Sequence, residues 1–408
     1  MNRFMEAALA MAPQLGAVRR DIHRHPETGM TETRTARIVA DYLKDLGLAV
    51  REGVGGTGVV GLLEGRRQGR TVAIRADMDA LPMADRKTTA YRSGVDGKAH
   101  ACGHDGHTAM LLGAAAVLSR HAGELDGSVK FIFQPSEERL PGGAKPMIRD
   151  GALEDPRVEG IFSCHVHPDV PQGSVMVAPG YCTVSSAGFT LEMIGKGGHV
   201  AQPHQTVDPI VMAAACITAA QYIISRRTDP LDPAVLAFGV VQGGTANNII
   251  PERVALKGTI RALSPARRDR LIAMFRQTVE GTARMHGGDF RLEIDMEYPS
   301  VFNEPAMVDL LARAAGDLLG RSRVIRTEKP FMGGEDVSYF HQEVPGVFWF
   351  IGTGNPDKGF THPLHSPWFD FDEAVLPIGA ALHAQCALDF LSATEMPALS
   401  RPVDRPQE

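Results

Sequence analysis

From about residue 186 to 297 the sequence reads strand, helix, strand, strand, helix, strand, and this block interrupts a chain that elsewhere alternates single strands with helices. Its six segments fall near 189–194, 208–226, 234–241, 253–261, 265–286 and 290–297. A βαββαβ run of that kind closes on itself as a ferredoxin-like unit, so it borrows no strand from its flanks. The flanks follow another rule. A helix near 31–47, apolar β-rich runs at 71–75, 129–133 and 160–163, and a helix over 108–121 predict an α/β unit with a largely parallel, buried sheet. The same pattern resumes with a helix near 305–319, a strand at 347–351 and a closing helix near 374–391. The expected fold class is therefore α/β. A mostly parallel-sheet domain from 1–184 and 298–395 is interrupted by an inserted domain at 185–297, and the Arg- and Pro-containing tail 396–408 is expected to be disordered. At 408 residues the chain exceeds what one hydrophobic core usually supports, in agreement with two domains.

Charge narrows the partners. The formal net charge is -6 and Lys and Arg never run longer than a pair or so, which removes the electrostatic footprint of a nucleic-acid or anionic-membrane binder. No stretch approaches the roughly 20 apolar residues that span a bilayer. The first twenty residues mix helical apolar spacing with Glu6, Gln14, Arg19 and Arg20, which does not read as a signal peptide. Five scattered cysteines (102, 164, 182, 216, 386) argue against a disulfide framework and for a reducing, cytoplasmic setting in which at least one serves as a thiolate.

In open α/β sheets, ligands bind at the carboxyl ends of the strands. Metal-capable residues stand after each expected strand: Asp77 and Asp79, then Glu137 and Glu138, then His165, then a loop with His362 and His365. The segment His100-Ala-Cys102-Gly-His104-Asp-Gly-His107 opens the helix that follows the Asp77 strand. Each residue alone has an ordinary structural explanation, because single histidines are often satisfied core residues and paired glutamates are often solvated. Convergence of Cys, His and Glu from several strand ends points instead to a metal centre. The doublet Glu137-Glu138 suits a division of labour in which one carboxylate coordinates while its diverging neighbour moves protons.

Two other signals compete. Gly53-Val-Gly55-Gly-Thr-Gly58 matches a dinucleotide-binding fingerprint, but the strand-like Val59-Val-Gly-Leu-Leu63 follows where a helix is required, so it reads as a hairpin turn. Cys102 beside His104 could form a nucleophilic thiol pair, although the surrounding carboxylates suit a metal better.

At these residues the chain resembles the two-metal aminoacylase and carboxypeptidase superfamily, in the branch of hippurate hydrolases and indole-acetyl-amino-acid hydrolases. The resemblance spans nearly the whole chain. It rests on Asp21-Ile-His-Arg-His-Pro-Glu27, Ile74-Arg-Ala-Asp-Met-Asp-Ala-Leu-Pro82, the His100–His107 segment and Phe133-Gln-Pro-Ser-Glu-Glu138. It continues through Gly197-Gly-His-Val-Ala-Gln-Pro-His204, Gly243-Gly-Thr-Ala-Asn-Asn-Ile-Ile-Pro251, Gly333-Gly-Glu-Asp336 and Leu364-His-Ser-Pro-Trp-Phe-Asp-Phe-Asp-Glu373.

What the resemblance implies is specific. Cys102, His104, Glu138, His165 and His365 would ligate two divalent ions, Mn2+ or Zn2+, with Co2+ or Ni2+ also compatible with the donors. Glu137 would be general base and then acid, with Asp77 and Asp79 supporting the ligands. The wider superfamily carries a histidine where Asp77 stands, and this branch uses Cys102 in compensation; Cys164 and His167, flanking His165, lie outside the pattern. His199 of the inserted domain would reach the active site of a partner subunit as oxyanion donor, with His204 its rival, and Asn248 and Arg261 would grip the substrate's carboxylate or amide. The resemblance thus implies a metal-dependent amidohydrolase acting on N-acyl amino acids, a homodimer through the inserted lid domain. A dipeptidase or carboxypeptidase with the same centre and a non-catalytic ligand-binding relative are the alternatives.

Overall fold

The computed structural model describes residues 2–393, and the expected disordered tail at 396–408 lies outside the described residues. The chain separates into two compact units. Of the described residues, one unit contains those up to Cys182, Val301–Lys329 and 336–393; the other contains Thr183–Ser300 and the short return Pro330–Glu335.

In the first unit, two N-terminal helices, α1 (Arg3–Ala10) and α2 (Ala12–Arg24), precede α3 (Thr33–Asp45). Strands β1 (Ala49–Val54), β2 (Gly58–Glu64), β3 (Arg67–Asp77), β4 (Asp126–Gln134) and β5 (Gly160–Pro171) join an eight-stranded sheet, with α4 (His104–Ser119) between β3 and β4. The order across the sheet is β1, β2, β4, β3, β5, then Gly346–Gly354, Val175–Val177 and Val324–Arg326. The centre is parallel: β3 pairs in parallel with both β4 and β5, and β5 with Gly346–Gly354. Antiparallel pairs flank it, including the β1–β2 hairpin whose turn is the Gly53–Gly58 stretch. That disposes of the dinucleotide reading on structural grounds, since the motif turns into a strand. Central parallel strands are covered on both faces, which is why β3 reads as a continuous buried run from Thr71 to Asp77.

Helix α4 shows the same logic in helical form. All of its residues from His104 to Leu118 are buried, because it packs on the sheet with the closing helix Leu376–Ser392 beside it and α2 against it. A helix that is apolar all round belongs in a core. The sequence reading nevertheless understated two helices. Pro209–Arg227 and the segment Glu373–Ser392 are long and apolar enough to cross a membrane by composition, because alanine-rich turns raise their mean hydropathy without forming a run of large side chains. The latter is mostly buried against the sheet of the first unit, and the former lies on the sheet of the second.

The second unit is a four-stranded antiparallel sheet in the order Ala234–Gly243, Arg253–Ala262, Ser185–Ile194, Asp289–Met296, with helices Pro209–Arg227 and Pro265–Met285 packed on it. Its chain order is the βαββαβ of the sequence, each element within a few residues of expectation. The strand Ser185–Ile194 alternates buried and half-buried residues along its second half, as a one-sided sheet requires. Phe189, Leu191, Met193, Cys216, Leu256 and Phe275 form its core.

Candidate metal centre

The carboxyl ends of β3, β4 and β5 and the first turn of α4 bring the candidate ligands together. Within the first unit, single donor atoms of Cys102, His104 and His165 lie within 4.8 Å of one another, as do those of Cys102, Glu138 and His365, and those of His104, Glu137 and Glu138. Cys102, His104 and Glu138 each belong to two of these groups, so the donors form one continuous patch.

Local backbone explains how. Gly103, the N-cap of α4, sits at φ 92, and a Cβ there would meet Val166 Cγ2 at 2.4 Å. Only glycine makes that turn at that distance, and the turn lets Cys102 and His104 face the same space. Ser136, at φ 54, kinks the chain before the glutamates; its amide donates to Glu32 Oε1 (2.8 Å), while Thr57 donates to Oε2 (2.6 Å). This corrects the strand-end picture of the doublet. β4 ends at Gln134, and both carboxylates come off the following turn into the same cluster instead of diverging by strand alternation. His165 likewise lies inside β5 and not after it, because that strand continues to Pro171.

Hydrogen bonds fix the ring nitrogens. His165 Nδ1–H donates to the Val166 carbonyl (2.7 Å), which leaves Nε2 as a lone pair 3.4 Å from Cys102 Sγ. His104 Nδ1 faces Asp79 Oδ1 at 3.2 Å, and its Nε2 is buried with no hydrogen-bond partner. Asp79 uses its other oxygen to accept the Glu138 amide (3.0 Å), so it orients two candidate ligands at once. A carboxylate behind a histidine whose far nitrogen is free is the arrangement metal sites use. His107 differs. Its Nε2 accepts the Val166 amide (3.0 Å), so its Nδ1–H donates to Asp77 Oδ1 (2.6 Å), and neither nitrogen is left for a cation. Asp77 in turn accepts Arg75 Nη1 (2.8 Å) and stands 3.9 Å from His104 Nε2.

Electrostatics agree with a cation site. Burial, then the charges of Glu138 and Glu137, push the Cys102 thiol well above its usual range, so a thiolate here needs positive charge beside it. For His104, burial works against protonation, but Asp77, Asp79 and Glu138 outweigh it and raise the ring to about 10. His165, with burial dominant and His107 beside it, is held well below the usual imidazole range and keeps its lone pair. The donors therefore fit divalent ions of the thiolate–imidazole–carboxylate class.

His365 is the outlier. It is half exposed, at φ 63, with Nε2 3.0 Å from Glu138 Oε1 and its amide donating to the Ala101 carbonyl (2.8 Å). His362 is exposed against Trp368 and belongs to none of these donor groups.

Sequence reasoning missed the layer beneath. Arg75 donates to Gln134, Asp77 and Asp336, and Gln134 donates to both Asp336 oxygens, all of them buried. An arginine in the otherwise apolar run Val72-Ala-Ile-Arg-Ala was the available signal.

In the second unit, His199 is exposed on a two-residue strand, Gly198–His199, paired with Ile249–Ile250 next to Asn248. Its Nδ1 accepts the Ala201 amide (3.0 Å), which places the proton of the neutral ring on Nε2. His204 is also exposed, on the following turn. Arg261 lies at the other end of the strand Arg253–Ala262, donating to the Met332 carbonyl (2.6 Å). Arg253 and Arg261 stand eight residue steps apart along the strand, about 26 Å at the usual rise.

The family model for peptidase family M20/M25/M40 matches residues 73–389. The chain is similar to thermostable carboxypeptidase 2 of Saccharolobus solfataricus, 39% identical over 91% of this chain and 94% of that protein. It is equally similar to IAA-amino acid hydrolase ILR1-like 4 of Arabidopsis thaliana, at 39% over 92% of this chain and 85% of the other. Among solved structures it resembles a dinuclear metal binding peptidase from the M20 family of Bacillus subtilis, with a TM-score of 0.82, 32% identity, and coverage of 94% of this chain and 99% of that one.

Proposed function

We propose, from the premise that this chain belongs to peptidase family M20/M25/M40 and is a metal-dependent hydrolase, that it cleaves the amide bond of small N-acyl amino acids. The observation that carries the reading is the donor patch itself: Cys102, His104, Glu138, His165 and His365 converge with Glu137, and the buried Nε2 of His104 has no protein partner. Those five side chains would hold two divalent ions, Mn2+ or Zn2+ by resemblance. Bound there, the ions would supply Lewis acidity to the attacking water and the amide carbonyl.

The remaining steps belong to the chain's own groups. Glu137, buried beside Glu138 and His104, takes the proton of the attacking water and returns it to the leaving nitrogen. Asp79 holds His104 and the Glu138 backbone, and Asp77 with His107 holds the β5 edge that carries His165. His199 Nε2–H donates to the developing oxyanion, while Asn248 and Arg261 hold the carboxylate that marks an amino-acid product. With His199 and Asn248 at one end of the small sheet and Arg261 at the other, a small ligand cannot touch all three within one chain. This supports a homodimer in which the two ends come from different copies. Exposed Ile210, Val211, Val241 and Ile249, near the edge strand Ala234–Gly243, supply an apolar surface for such pairing.

Carboxypeptidase and dipeptidase action uses the same centre, and one relative carries a carboxypeptidase name. Acetyl-, benzoyl- and indolylacetyl-amino acids run beside dipeptides, with metal content measured by elemental analysis, separate the readings. We expect release of free amino acid from the acylated panel by protein carrying two divalent ions per chain. Turnover of dipeptides alone would reject the acyl-substrate reading, and full activity after exhaustive chelation would reject the metal mechanism.

A further inference from the structure

The first unit buries a second charged assembly that the catalytic steps leave unused. Arg19 on α2 is 1% exposed. Its Nε donates to Asp105 Oδ2 (2.8 Å), its Nη2 to Asp370 Oδ1 (2.6 Å), and its Nη1 to Glu373 Oε1 (3.4 Å). The guanidinium carbon lies 4.3 Å from the centre of the Phe371 ring and 5.2 Å from that of Tyr91. Tyr91 Oη donates to the second oxygen of Asp370 (2.8 Å), and a His23 ring nitrogen sits 2.7 Å from the Asp105 oxygen that Arg19 engages.

Sequence position gives this cluster its meaning. Asp105 is the second residue of α4, directly after His104, and Asp370 lies five residues beyond His365. Beside this cluster, the loop with His365 meets the segment 101–106 through the His365-to-Ala101 backbone bond and through the Phe371 ring packed on Gly106, and the His365 side chain is half exposed. A buried charge ringed by carboxylates is a poor source of net stability, and the best-attested use of such groups is to fix the register of the segments they join. A guanidinium holds its donors in a fixed planar fork that reaches separate carboxylates, whereas an ammonium is a compact point charge whose three donors rotate together.

We propose that Arg19 is a positioning residue that locks the His365 loop to the Cys102–His104 turn and thereby sets the affinity of the cation position shared by Cys102, Glu138 and His365. The proposal rests on the two-cation reading above. Arg19 touches neither substrate nor ligand atoms and acts through Asp105 and Asp370.

Cobalt tests it, because Co2+ reports its ligands in visible absorption and through thiolate charge transfer in the near ultraviolet. Wild type, Arg19→Lys, Asp370→Asn and, as a control, Arg20→Ala are titrated with Co2+ against a competing chelator, and their melting temperatures are recorded. Arg20 is half exposed; it pairs with Glu373 and lies over the Tyr91 ring but bonds to neither Asp105 nor Asp370, so its removal is expected to leave both affinities unchanged. Wild type should bind two Co2+. Arg19→Lys and Asp370→Asn should keep one Co2+ with its thiolate band, through Cys102 beside His104 and His165, while the second binds on the order of tenfold more weakly. Asp370→Asn preserves shape and serves if Arg19→Lys fails to fold. Variants that melt earlier yet bind both ions as wild type does would overturn the clamp, as would equal weakening of both positions or full rescue by lysine. A wild-type chain that takes up no cobalt would overturn the two-cation reading, and the clamp with it.

Discussion

The buried histidines of the donor cluster in the first unit and His199 of the second are built to opposite plans. In the first unit His104, His107 and His165 are buried, and each has at least one ring nitrogen committed to a backbone group or a carboxylate before any ligand arrives. In the second unit His199 is exposed, with one backbone contact that selects its tautomer and leaves Nε2 facing outward. The first plan fixes geometry at the cost of burying rings in neutral or paired form. The second fixes only which ring nitrogen carries the proton of the neutral ring. Coordination tolerates little error in position, whereas an oxyanion donor has to arrive only when the substrate is in place.

The sharpest way to break this contrast is at Glu137. Glu137→Gln removes the proposed proton carrier but leaves the five proposed ligands intact, so turnover should fall about a thousandfold while metal content stays at two ions per chain. Turnover near wild type would remove Glu137 from the mechanism; loss of metal would make it a ligand and not a base. The next effect lies across the contrast. His199→Ala should lower kcat on the order of a hundredfold with unchanged metal content and melting temperature, since nothing in the core depends on that ring. If KM alone moves, His199 binds substrate, and if His204→Ala shows the kcat loss instead, the donor is the residue on the following turn.

These two plans also explain what the sequence could and could not convey. The small unit was legible element by element, since its β-type runs and long helical stretches follow one another in βαββαβ order, although Ala234–Gly243 does not alternate strictly and Pro209–Arg227 is broadly apolar. The candidate donors of the first unit were visible as metal-capable residue types near strand ends, though His165 lies inside β5, because parallel sheets direct ligands to the same edge. Their supports were not. That His107 is tied to Asp77 and the β5 backbone, while His104 keeps a free nitrogen, depends on ring orientation across elements about thirty to sixty residues apart. The turn at Ser136, which brings both glutamates inward, depends on Glu32 reaching across from before α3. Nor did any pattern mark Arg19, which sits among ordinary helix-surface residues in sequence and is buried only because the His365 loop and α4 close over it.

The smallest effect tests whether burial of neutral rings, apart from ligand duty, gives the first unit its own acid sensitivity. His383, on the closing helix, is 2% exposed, packs edge-on against Trp349 at 5.3 Å, and has an Nδ1 without a hydrogen-bond partner. Burial, with a smaller contribution from His107, lowers its pKa to about 3. The unfolded chain takes up this proton near the ordinary imidazole value of about 6.5, and the folded chain does so only near 3. Between those values the unfolded state binds the extra proton, so the contribution to stability is complete above pH 6.5 and is lost as pH falls, by about 1.4 kcal/mol per pH unit. His383→Phe keeps the aromatic contact and removes the titration. Its stability at pH 7 should change little, since an unsatisfied buried nitrogen is replaced by carbon. Melting temperatures measured from pH 7.5 to 4.5 should fall less steeply in the variant than in wild type. Superimposable profiles would mean that acid acts elsewhere, and the metal-supporting histidines would then be the next place to look.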